Sequence, residues 1–477
     1  MNLTLMRKSS FALVATTLGM IGYLWGAWCE FPFHPWNDVR LAPAFAVRHG
    51  INPYPLLEGG PLFTWIYGPV GILVNLPATW ATTALGAIQT ASVLNALTVL
   101  APLAIVFFSS RELRSRGLAT CALAFTLATL LVPRPNLVLH VADHSAIACG
   151  LLSCWCLARA PRPGAARLAA AAAFCALAIW SKQITVFLLL AQSAYLLLSG
   201  PRTIAVRYVA WVALFGLAGL AAFAVWFGFS NLWLNLVAIP ARLPWTEFWP
   251  RFTLRPWSLF AQVLVPALLL LVMRANGRWP TRDSESGRFF QIAVLAAAAM
   301  LPVGLVAFFK IGGDTNLLHS SDYLLPAFLL AWLARDVAGT PAATFRMFAV
   351  VGLALAVRGK DLSSLPAQPF TRHFEAATQI AAAYPRALWF PQHPVLTFYA
   401  DGRLWHSEDG ILTRYAAGFG WREPDFRRHL PPNLLGVAYR AFVEFPSALP
   451  LLPEFNHPEK LPYWTLHTRA PQPPSQP

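Results

Sequence analysis

Long apolar runs separated by short polar breaks fill the first three quarters of the chain. Runs lie near 9–28, 82–108, 117–133, 145–159, 168–181, 184–199, 205–226, 257–273, 289–309, 317–334 and 341–357. Crossing the hydrocarbon core takes roughly 20 apolar residues, so the pattern predicts a polytopic α-helical membrane protein of about eleven spans. Residues 61–80 are too short and too proline-marked to span, and read as an interfacial or re-entrant hairpin. That choice puts the basic loop Arg111-Glu112-Leu113-Arg114-Ser115-Arg116 inside, as the positive-inside bias prefers. The later breaks then alternate, with Arg159, Arg162 and Arg167, then Arg202 and Arg207, then Arg274, Arg278, Arg282 and Arg288, then Arg335 on the inner side. Met6-Arg7-Lys8 before the first run reads as a signal anchor with a cytoplasmic N-terminus, because no small-x-small site ends that run.

From about Lys360 the pattern changes: charges, histidines and prolines become frequent and no apolar run reaches membrane length. Phe374 to Tyr384 predicts an amphipathic helix, and Ala387–Phe390 and Val395–Tyr399 predict short strands. The expected division is a transmembrane part, 1–359, with its first outer loop at 29–66. A small α+β extracytoplasmic domain at 360–469 and a disordered tail at 470–477 complete it.

Composition agrees with the membrane class. Hydrophobic residues make up 57% and charged residues 12%, against roughly 25% charged in soluble domains. The net charge of +15 lies largely in short inter-span loops, with no basic run interleaved with aromatics, so nucleic acid is excluded as a partner. The six cysteines lie in or beside apolar runs and form no disulfide or metal-ligand pattern.

With this topology, polar residues that anchoring does not explain collect on the outer side. The first loop supplies Asn37, Asp38, Arg40, Arg48 and His49, and the next outer loop Arg134, Asn136, His140, Asp143 and His144. Lys182 follows at an outer turn. The loop 227–256 supplies Arg242, Glu247, Arg251 and Arg255, and a late turn supplies Lys310, Asp314 and Asn316. Ionisable groups near the bilayer are costly and are functional candidates, and Arg and Lys pair strongly with phosphate. Simpler roles stand beside these: Asp38 as a cap for a helix 39–48 closed by Gly50, and Lys182 and Lys310 snorkelling to headgroups. Arg242, Arg251 and Arg255 as contacts to anionic lipid, and Gly312-Gly313-Asp314 as a tight turn, belong with them.

Asp38 with Gly50, Asn52, Pro53 and Tyr54 resembles the acidic first-loop motif of GT-C glycosyltransferases and the turn after it. Asp143 with His144 sits where many members carry a second acidic residue, and Lys310-Ile311-Gly312-Gly313-Asp314-Thr315-Asn316 resembles the late loop of bacterial members. The chain departs from the pattern in pairing Asn37 with Asp38 and in having Tyr67-Gly68-Pro69 where relatives have Tyr-Pro-Pro. The resemblance implies a multi-pass enzyme of the cell inner membrane. It would take a sugar from a polyprenyl-phosphate carrier and pass it to a lipid, glycan or protein acceptor. Asp38 and Asp143 are then the catalytic carboxylates, and Arg40, His144, Lys182, Arg242, Arg251, Arg255, Lys310, Asp314 and Asn316 bind substrate or phosphate. Metal use is left open, a divalent cation being one option.

The chemistry asks for a proton acceptor at the acceptor hydroxyl and fixed cations at the departing phosphate. Asp38 is the expected base. A polysaccharide polymerase or ligase, and a flippase of lipid-linked sugars, are the competing classes. A flippase calls for polar features at mid-membrane, where these runs are almost uniformly apolar.

Overall fold

The computed structural model describes residues 32–56, 59–63, 65–132, 134–246, 263–275, 277, 279–313, 319–336, 370–440, 448–461 and 463–469, with scattered positions of 14–28. It is mostly helical. The helices used below are α1 (Pro35–Arg48), α2 (Pro69–Asn75), α3 (Ala84–Ser109), α4 (Leu118–Leu130), α5 (Ala142–Ala158), α6 (Ala165–Ser181), α7 (Val186–Ser199), α8 (Arg202–Phe227), α9 (Val265–Ala275), α10 (Glu285–Phe308), α11 (Ser320–Asp336), α12 (Phe370–Ala383), α13 (Pro394–Asp401) and α14 (Glu408–Ala416). Among the described residues, α3, α8 and α10 are long and apolar enough to cross a membrane, and five shorter apolar helices accompany them. The expected run at 341–357 lies outside the described residues, as does most of 9–28. The stretch expected as a loop after α8 is helical as far as Arg242, in the turns Phe229–Trp233, Leu234–Ala238 and Ile239–Arg242.

Helix ends leave four carbonyls without partners, and one face of the bundle meets this need with arginine. Arg159 donates to Ser109 O at the end of α3, and Arg116 to Ala334 O near the end of α11. Arg288 Nε donates to Ala158 O at the end of α5 (2.7 Å), and Arg282 Nη1 to Leu198 O near the end of α7 (2.6 Å). Glu112 caps the start of α10 from outside, accepting from the amides of Glu285 (2.5 Å) and Ser286 (3.2 Å). These arginines are therefore ties between helices as well as charges in loops.

The helix interior is less uniformly apolar than its sequence suggests. Gln192 Nε2 donates to Ser153 Oγ (2.9 Å), Ser153 Oγ donates to Ala171 O (2.7 Å), and Tyr208 OH donates to Gln192 Oε1. The network ties α5, α6, α7 and α8 together, the use that polar side chains commonly serve between apolar helices.

The C-terminal part carries a four-stranded sheet in the order β1-β2-β4-β3. Leu388–Trp389 (β1) runs parallel to Gly436–Arg440 (β2), and Trp464–Thr468 (β4) pairs antiparallel with β2 and with His457–Leu461 (β3). The expected strand at 395–399 is instead the helix α13. Its β-branched and aromatic residues favour a strand, but Pro394 opens it at the first helical position and Gly402 closes it in the left-handed region (φ 71°). This part shares one hydrophobic cluster with the first loop: Phe33 packs on Phe374 with ring centroids at 5.5 Å, and Phe45 on Phe398 at 5.2 Å.

Candidate functional site

The first loop enters α1 through His34, whose Nδ1 accepts from the Trp36 amide (3.2 Å). Asp38 lies inside the first turn of α1 and does not cap it. Its Oδ1 accepts from the Val395 amide (2.7 Å), and its Oδ2 lies 3.3 Å from His393 Nδ1. Asp38 therefore caps α13 from a distant part of the chain, and it is only 1% exposed. Its neighbour Asn37 clasps the segment before α5, with Oδ1 accepting from His140 N (2.8 Å) and Nδ2 donating to Pro32 O and Val138 O. His140 is buried, and burial holds its pKa down to about 3, so the ring is neutral.

Asp143 stands in the first turn of α5, and its environment differs from that of Asp38. Oδ1 accepts from Lys182 Nζ and lies 2.6 Å from His319 Nε2. All three side chains are buried. Lys182 reaches the carboxylate because α6 ends at Ser181, and its Nζ also lies 5.3 Å above the Tyr67 ring. The loop feeding that ring explains the departure from Tyr-Pro-Pro. Gly68 N donates to Ser181 O (3.1 Å), and a Cβ there would overlap the Trp180 carbonyl, so proline would lose the bond and collide. His319 was not a sequence candidate. Its one signal is its place at the start of an expected span, just beyond the late loop.

Asp143 and His144 lie at the polar end of a partly open cavity of about 70 Å³, together with Asn136, Ser321 and Asp322. Val99, Leu103, Leu131, Ile147, Leu151 and Leu325 form its apolar walls. Asp38 is not among the lining residues.

The remaining candidates divide. Arg40 stacks over Trp36 (4.7 Å) and acts electrostatically on Tyr67, His140 and Lys182, so its charge is felt near Asp143 although it does not line the cavity. Arg242 lies elsewhere, exposed and over the Phe419 ring at 4.6 Å. Lys310 Nζ donates to Pro240 O (2.9 Å) and Ala241 O (3.3 Å) at the end of a helical turn. Arg251, Arg255, Asp314 and Asn316 fall outside the described residues. No group of three His, Cys, Asp or Glu among the described residues is arranged to hold a metal ion.

No protein-family model matches the chain, and no curated protein matches it by sequence. Among solved structures, it is similar to the archaeal oligosaccharyltransferase AglB from Archaeoglobus fulgidus in complex with an inhibitory peptide and a dolichol-phosphate. The identity is 12% and the TM-score 0.47, covering 91% of this chain and 69% of that one. The same values hold for the Archaeoglobus fulgidus oligosaccharyltransferase tethered with an acceptor peptide containing the NVT sequon via a disulfide bond.

Proposed function

We propose that the protein is a GT-C-type glycosyltransferase of about eleven spans. In this reading it moves a sugar from a polyprenyl-phosphate carrier to an acceptor hydroxyl at the outer membrane face, with residues 360–469 on that side. The observation that carries the reading is the asymmetric cavity, whose walls are apolar along α3, α4, α5 and α11 and whose one end holds Asp143, His144, Ser321 and Asp322. A lipid-linked sugar has the same asymmetry, with an isoprenoid chain at one end and a charged, hydroxyl-rich group at the other. Of the two carboxylates expected in catalysis, Asp143 lies at that end, and the reading places the reacting centre there. Arg40 and Lys182 supply positive charge beside it, where negative charge grows on the leaving phosphate.

The test is to incubate the purified protein with a panel of polyprenyl-phosphate sugars and candidate acceptors and to assay released polyprenyl phosphate. Ala148→Phe, which fills the cavity beside Ile147, is expected to abolish donor use while the melting curve stays cooperative. Undiminished transfer in that variant would place the donor elsewhere.

A further inference from the structure

His144 joins the cavity to a chain of buried amides that no catalytic role yet accounts for. Its Nδ1 lies 3.1 Å from Asn95 Oδ1. Asn95 Nδ2 donates to Asn75 Oδ1 (2.9 Å) and to Ala91 O (2.8 Å), and Asn75 Nδ2 donates to Gly71 O (3.0 Å). Backbone carbonyls only accept, so Ala91 O and Gly71 O set which way both amides point. Asn95 must then offer its oxygen to His144, and the shared proton must belong to Nδ1. A neutral imidazole carries one N–H, which leaves Nε2 with the lone pair. Nε2 is buried and has no hydrogen-bond partner among the described residues, and the Asn136 carbonyl acts on the ring in the sense that favours its protonation.

We infer that His144 Nε2 is the proton acceptor of the transfer and that Asn75 and Asn95 are positioning residues that fix its tautomer. The inference rests on the glycosyl-transfer reading and names the base within it. The acceptor oxygen forms a bond to the sugar's anomeric carbon as the bond from that carbon to the phosphate oxygen breaks. The electron pair leaves with the polyprenyl phosphate, and the hydroxyl proton passes to Nε2. The charged groups acting on the ring are Asp143 from its own helix, which favours the imidazolium that forms, and Arg40 from α1 and Lys182 after α6, which oppose it. Burial in this cluster makes the orientation of the ring a property of the fold, because Asn75, Asn95 and His144 are each at most 5% exposed.

Two measurements test this. Solid-state ¹⁵N spectra of histidine-labelled protein in liposomes, assigned by loss of the signal in His144→Gln, should show His144 protonated at Nδ1 and bare at Nε2. A protonated Nε2 in the unmodified protein overturns the relay whatever the activity. With a donor from the panel, His144→Gln should lower transfer about 10²–10⁴-fold and remove the acid limb of the pH–rate profile, while the melting curve stays cooperative. Asn95→Leu should cost about 10–100-fold and mix the tautomers, whereas Asn95→Asp, which still accepts from Nδ1, should restore most of the rate. An unmoved acid limb in His144→Gln, or equal losses in the two Asn95 variants, overturns the assignment. Failure of every donor with the unmodified protein instead sinks the wider reading of function, and the spectra still decide the relay.

Discussion

Asp38 and Asp143 are both acidic residues expected at the outer face, both are almost fully buried, and each meets a histidine. They differ in their other partners. Asp38 accepts from a backbone amide of α13 and does not line the cavity, whereas Asp143 accepts from the buried Lys182 and stands at the cavity's polar end. A carboxylate bound to a backbone amide fastens two parts of the chain together. One held by a lysine at a cavity wall keeps its charge where a substrate can feel it. Burial and a histidine partner are common to both; under the proposed function the second partner and the open space mark Asp143, rather than Asp38, as the reacting group.

The largest expected effect separates the two directly. Asp143→Asn is expected to reduce transfer by about 10²–10³-fold, through the charge lost beside Lys182 and the His144 ring. Asp38→Asn, whose amide oxygen can still accept from Val395, should keep turnover. Asp38→Ala should lower stability by about 2–4 kcal/mol, because it strands the buried Val395 amide and the His393 ring. Transfer assays paired with thermal melting in detergent read both, and loss of turnover in a well-folded Asp38→Asn would reverse the comparison.

The pH dependence of stability comes next in size. Burial lowers the pKa of His140, beside Asn37, and of His406, stacked on Phe426 in the C-terminal part, from 6.5 to about 3. The unfolded chain binds these protons below pH about 6.5 while the folded chain refuses them, so stability falls as pH drops from about 6.5 toward 3 and is flat in this respect above. Each ring contributes up to about 1.4 kcal/mol per pH unit in that window. Melting temperatures that hold steady from pH 7 to 5 would mean these rings do not stay neutral. The smallest effect sharpens the comparison at its margin: Arg242→Leu should cost only about 0.5–1 kcal/mol through lost stacking on Phe419. A clear rise in donor KM for that variant would extend the phosphate site beyond the cavity.

Much of the helical plan was legible because apolar length is a local property. The expected runs 82–108, 205–226 and 289–309 appear as Ala84–Ser109, Arg202–Phe227 and Glu285–Phe308. What escaped depends on distant partners. Residues 395–399 read as a strand because their β-branched and aromatic side chains outweighed the helix-end signals of Pro394 and Gly402, and the cap from Asp38 comes from far along the chain. The residues gathered at the cavity were legible as a list of outer-loop charges, but not as an arrangement. Lys182 could be singled out, yet its pairing with Asp143 rather than a lipid headgroup comes from the packing of α5 against α6. His319 left no pattern of its own, since a single histidine at the start of an apolar run has many ordinary uses. Asn75 and Asn95 were invisible for the opposite reason: amides inside apolar runs look like tolerated interruptions until their hydrogen bonds are traced.

The bond between Asp38 and α13 also sets a clock. Its two ends are 357 residues apart in sequence. At about 5–20 residues per second, a ribosome needs roughly 20–70 s to reach Val395 after it has made Asp38. During that interval every helix up to α12 is synthesised while the first loop has no amide to hold its carboxylate. The same wait applies to Leu62, whose amide is met by His406 Nδ1 (2.8 Å). The first loop to be translated is thus among the last to reach its final contacts, and its completion reports that the whole chain has arrived.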